Sequence, residues 1–88
     1  MVLSIQDRVF KTVAEFNKKH RFMIVIVKQE VFGIVLCMDH KLAHTRTNVM
    51  FLYDELKEFK EKGKLEKLIT DVLNEMEDVL IKAQKVKR

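Results

Sequence analysis

The stretch Phe22-Met23-Ile24-Val25-Ile26-Val27-Lys28-Gln29-Glu30-Val31-Phe32-Gly33-Ile34-Val35-Leu36-Cys37-Met38 decides the fold. Its two apolar runs are rich in β-branched residues, which suit a packed, pleated strand. Only Lys28-Gln29-Glu30 interrupts them, so residues 22–27 and 31–38 read as two strands of a tight hairpin. The triplet lacks the Asn-Gly or Asp-Gly pair that short hairpin turns favour, which leaves the turn type open. Neither strand alternates apolar with polar residues. Ile24 and Ile26 point to one face, and Met23, Val25 and Val27 to the other. Both faces therefore need cover, and a lone hairpin is marginal in water. A third strand hidden in residues 40–48, or a second copy of the chain, would extend the sheet. The expectation is a homodimer that completes it.

Helical patterns flank the hairpin. Ser4 reads as an N-cap, with Asp7 three positions on, and Ile5, Val9, Val13 and Phe16 recur at helical spacing over 4–19. Lys18-Lys19-His20-Arg21 closes that helix, where the dipole favours positive charge. Residues 39–48 read as a polar connection. Val49, Leu52, Tyr53, Leu56 and Phe59 then resume helical spacing after a cap at Thr47 or Asn48. Gly63 suits a helix C′ position. Beyond it Leu65, Leu68, Ile69, Val72, Leu73, Met76 and Leu80 restart the stripe out of phase, which indicates two helices. The expected fold is α+β in the order α-β-β-α-α, one domain over residues 1–88 with a frayed basic tail at 83–88.

Cys37 is the one cysteine, so no intramolecular disulfide can form. The first residues lack a basic segment followed by an apolar one, so no signal peptide is read. Lys28-Gln29-Glu30 breaks the most apolar stretch below the about 20 residues of a membrane span. The reading is a soluble, cytoplasmic chain. With two glycines and none of the phosphate-loop, dinucleotide, nucleophile-elbow or zincin motifs, no cofactor is expected.

Net charge is +4. Residues 1–46 hold eight Lys/Arg against four Asp/Glu, and residues 47–81 hold five against nine, so the basic charge is segregated. In a hairpin the start of the first strand lies beside the end of the second. Lys18, Lys19, Arg21, Lys41 and Arg46 are therefore expected at one end of the sheet, as a candidate binding patch.

Two clusters bear on chemistry. Cys37, His40 and His44 form C-x2-H-x3-H, but no fourth ligand completes a structural zinc set, and Cys37 fits an apolar strand. The expectation is no metal. His40, His44, Arg46 and Tyr53 could instead serve a small metal-free ribonuclease, with histidines moving protons and arginine holding phosphate charge. Nothing in their spacing fixes a common register. The aromatic residues fall mostly at core spacing, so no stacking platform for nucleic acid accompanies the charge. The function read from the sequence is that of a non-catalytic interaction or regulatory protein that binds a macromolecular partner, a protein foremost. A nucleic-acid binder using the basic loop and tails, and the ribonuclease, are the alternatives.

Overall fold

The computed structural model describes residues 4–20, 22–42 and 45–86, with side chains as far as Ala83. The elements run α1 (Ile5–Lys19), β1 (Met23–Gln29), β2 (Gly33–His40), β3 (Thr45–Leu52), α2 (Tyr53–Glu61) and α3 (Leu65–Val86). The class is α+β, as expected. The order is α-β-β-β-α-α rather than α-β-β-α-α, because the polar connection at 39–48 supplies a third strand. The sheet is an antiparallel meander, β1-β2-β3. Its completion therefore comes from within the chain.

The physical reason lies in β2. Its backbone offers hydrogen-bonding groups on both edges, and burying either edge unpaired is costly. Thr45-Arg46-Thr47-Asn48-Val49-Met50-Phe51-Leu52 carries the strand alternation needed to fill the second edge. Phe51 faces the core while Arg46, Asn48, Met50 and Leu52 face away. The register pairs His40 with Thr45 and Gly33 with Leu52. On the other side Met23 pairs with His40 and Gln29 with Ile34.

One face of this sheet is covered. Met23 and Val25 from β1, Ile34, Leu36 and Met38 from β2, and Phe51 from β3 meet Val9, Val13 and Phe16 of α1. Leu65, Ile69, Leu73, Met76 and Leu80 of α3 close the same core. Each large apolar side chain buried this fully contributes roughly 1.5–3 kcal/mol. Ser4 caps α1 as its position suggests, its hydroxyl accepting the Asp7 N–H at 3.1 Å. The Leu52 N–H donates to the Glu55 carboxylate at the start of α2.

Gly63 takes the C′ position of α2 with φ 69°. The Gly63 N–H donates to Lys60 O at 3.0 Å and the Lys64 N–H to Phe59 O at 2.9 Å. This is the paired bonding of a Schellman cap, and it ends α2 before α3 begins. The last helix reaches Val86, and residues 87–88 of the basic tail lie outside the described residues. Among the described residues no helix is long and apolar enough to cross a membrane.

The hairpin turn sits later than the sequence suggests. β1 continues through Lys28 and Gln29, and the chain reverses at Val31-Phe32, with the Glu30 N–H donating to Gly33 O at 2.8 Å. Gly33 is required there. A Cβ at this position would overlap the carbonyl oxygen of Phe51 on the neighbouring strand. Gly33→Ala is therefore expected to cost about 1–3 kcal/mol, as overpacking against fixed backbone does. Thermal unfolding should show it as a Tm lowered by roughly 4–8 °C for each kcal/mol at this chain length. An unchanged Tm would contradict the close approach of β2 and β3.

Candidate functional site

The second face of the sheet carries no helix. The register arranges its side chains in cross-strand rows: Ile24, Asp39 and Arg46; Ile26, Cys37 and Asn48; Lys28, Val35 and Met50; and Gly33 beside Leu52. Six of these are apolar side chains. Ile24, Ile26, Met50 and Leu52 are 41–52% exposed, while Val35 and Cys37 on the middle strand are half-buried. Strand alternation alone places them, since successive residues point to opposite faces. A single exposed isoleucine is ordinary, but a contiguous apolar patch on a small domain marks a contact surface.

The hairpin turn extends the patch at one end. Val31 is 99% exposed and Phe32 half-exposed. Turns ordinarily use Gly, Asn, Asp or Ser, which tolerate the backbone and the water. Two apolar residues at the tip break that local rule, Val31 with almost no burial within the chain and Phe32 with only partial burial, as residues serving a contact do.

At the opposite end the face is closed by charge. The Arg46 guanidinium donates to both carboxylate oxygens of Asp39, at 2.6 and 3.2 Å. That hydrogen bonding holds the Asp39 carboxyl below the usual carboxylate range and raises Arg46. An open cleft of about 510 Å³ lies here, lined by Ile24, Asp39, His40, Lys41, Thr45 and Arg46.

The basic residues gather as the hairpin geometry requires. The Lys41 N–H donates to Phe22 O at 2.8 Å, so the start of β1 and the end of β2 are adjacent. Lys18 and Lys19 end α1 close by, and with Lys41 they are exposed. Arg46 stands at the same end but is tied to Asp39. Arg21 lies outside the described residues.

A second cleft of about 360 Å³ opens at this end, between Lys19, His20, Phe22, Met23, His40, Glu77 and Ile81. His20 Nδ1 contacts Glu77 Oε2 at 2.6 Å, and its ring stacks on Phe16 with centroids 3.9 Å apart. Reading along the chain misses this contact, because the partners are 57 residues apart and His20 sits in a run that suits a helix C-terminus by itself.

The residues of the two sequence clusters are brought together only in part. Cys37 and His40 are three apart on one strand, so they emerge on opposite faces: Cys37 on the open one, His40 within the covered one. His44 lies outside the described residues. Among the described residues no group of three His, Cys, Asp or Glu is placed to hold a metal ion. Tyr53 follows β3 at the far end of the sheet, about 25 Å from the level of His40 and Thr45. Arg46 and His40 stand on opposite faces of the sheet but both line the cleft of about 510 Å³ at its charged end, and Tyr53 does not join them there.

The charge closing the face has a pH signature. A carboxylate held below its ordinary value contributes stability that is present above the unfolded value, about 4, and lost as pH falls through the lowered one. Asp39 does this through Arg46, and Glu66 through Arg8, whose guanidinium donates to it at 2.6 Å. Asp39→Asn should be modestly less stable than the wild type at pH 7 in urea unfolding, the pair being exposed. The difference should shrink as pH falls below the ordinary carboxylate range and Asp39 itself takes up a proton. A deficit that does not change with falling pH would show that the lost contact is not one of charge.

Compared with protein-family models, curated proteins and solved structures, the chain matches none, so its function is read from its own surface.

Proposed function

We propose that this chain is a non-catalytic interaction protein that acts by docking its uncovered sheet face onto a protein surface, and that it self-associates as a homodimer through that face. The observation that carries the reading is the apolar band from Ile24 and Ile26 across Val35 and Cys37 to Met50 and Leu52, with Lys28, Asn48 and the Asp39–Arg46 pair at its margins. The three strands, of seven and eight residues, give the whole face, polar margins included, a projection of about 14 by 25 Å.

Two features direct the contact to the face rather than to an edge, and to protein rather than nucleic acid. The outer edge of β1 is occupied at Val25. The Val25 N–H donates to Asn17 Oδ1 at 3.0 Å, and Asn17 Nδ2 donates to Val25 O at 3.3 Å. Asn17 thus stands where the backbone of an added strand would stand. No aromatic side chain lies in the four cross-strand rows of the open face, so bases would find no ring to stack on. The one arginine there is neutralised by Asp39.

A nucleic-acid role has one observation in its favour, the gathering of exposed Lys18, Lys19 and Lys41 at one end. Light scattering decides between the readings. At micromolar concentration the chain is expected at about twice its 10.5 kDa mass, and Ile26→Asp at the mass of one chain with unchanged circular dichroism. A wild-type monomer that binds DNA or RNA at physiological salt, with affinity lost on replacing Lys18, Lys19 and Lys41, would move the function to the basic end.

A further inference from the structure

The docking face makes no use of the cleft of about 360 Å³ at the basic end. Four elements meet around that cleft: the end of α1, the start of β1, the end of β2 and the later turns of α3. Walls that stand on helices and strands are in place before any ligand arrives, as they are in most small-molecule sites.

The lining is of two kinds. Phe22, Met23 and Ile81 are apolar, and Phe22 is half-exposed, so part of its ring is open to an occupant. The polar groups are few and held. His20 stacks on Phe16 with centroids 3.9 Å apart, and its Nδ1 contacts Glu77 Oε2 at 2.6 Å. An ionised carboxylate only accepts, so Nδ1 carries the hydrogen and Nε2 is the ring nitrogen that Glu77 leaves over. A mainly apolar wall with a few placed polar groups is the composition of a ligand pocket.

Charge selects the occupant. Glu77 is the one acid of the lining, and His20 takes its Oε2. Lys19 has no acidic partner among the described residues. Lys18 and Lys41 are exposed and likewise unpaired there, and Lys41 adjoins the cleft because its N–H is bonded to Phe22 O. Three lysines around one engaged carboxylate make a positive potential, which draws an anion. Size bounds that anion. The volume is at the low end of the about 300–1,000 Å³ of small-molecule sites, too little for a macromolecular segment with its own fold.

We propose that this cleft binds a small organic monocarboxylate, with its apolar body against Phe22, Met23 and Ile81 and its carboxylate beside Lys19 Nζ and the His20 ring. The site shares no apolar residue with the open sheet face, so its test and that of the docking reading are decided separately.

Three probes with one body and different charge test it on the full chain: phenylpropionate, phenylpropanol and phenylpropylamine. In a nuclear magnetic resonance titration the acid should shift the His20 and His40 ring signals and the Met23 methyl together, with a dissociation constant of about 1 mM or tighter. It should bind roughly fivefold tighter than the alcohol or the amine, the most that one exposed charge pair provides. Lys19→Gln changes an exposed side chain and should leave the circular dichroism and the alcohol's affinity unchanged, while removing most of the acid's advantage. An amine that binds as tightly as the acid would give the site to Glu77 and overturn the assignment. An alcohol that equals the acid, an advantage that survives Lys19→Gln, or no shift at these residues up to about 10 mM acid would overturn it as well.

Discussion

The structure depends on the pairing of β2 along both of its edges. Ile34, Leu36 and Met38 on its inner row are fully excluded from solvent, and this is possible only because β1 and β3 take up its backbone on either side. With the middle strand fixed, α1 and α3 have a continuous apolar floor to lie on, and their buried stripes converge there. The same pairing fixes the outer row. Val35, Cys37 and Asp39 have no choice of direction once Leu36 and Met38 point inward. The covered face and the open face are thus two consequences of one strand's placement, and the chain has helices for only one of them.

Much of this is legible along the chain. The stripe of α1 with its Ser4 cap, the two apolar strands and the break at Gly63 each follow from a local period or a single residue type. The third strand was hidden because Val49, Leu52, Tyr53, Leu56 and Phe59 satisfy the helical period, while residues 45–52 also satisfy the strand period. Periodicity cannot choose between them. The demand of β2 for a second partner does, and that demand is tertiary. The open face was half readable: Ile24 and Ile26 separate from Met23 and Val25 by alternation, whereas Met50 and Leu52 join them only once β3 is known. The separation of Cys37 from His40 was available too, since three residues along a strand always reverse the face.

Charge is less free than its sum suggests. Among the described residues, the ion pairs Arg8–Glu66 and Arg46–Asp39 and the His20–Glu77 contact each engage a group from the basic half. Exposed pairs of this kind contribute at most about 1 kcal/mol, so their role is chiefly positional. Arg8 ties the first half of α1 to the start of α3, and His20 ties the end of α1 to the later turns of α3. Together they hold the two helices in parallel over the sheet. Among the described residues, the cations left at the surface at the end of α1 and after β2 are the lysines Lys18, Lys19 and Lys41.

Asn17 has a consequence for how large an assembly of such sheets can become. Growth of a fibril or ribbon by strand addition requires two receptive edges on every copy, one to join and one to offer onward. The side-chain amide of Asn17 sits on the N–H and C=O of Val25 in the manner of a neighbouring strand. Both β1 and β3 are edge strands of the sheet, but a strand adding to β1 must first displace an amide that already makes two bonds there. Stepwise growth through both edges is thereby hindered at one of them, by one residue on a helix that takes no part in the ladder.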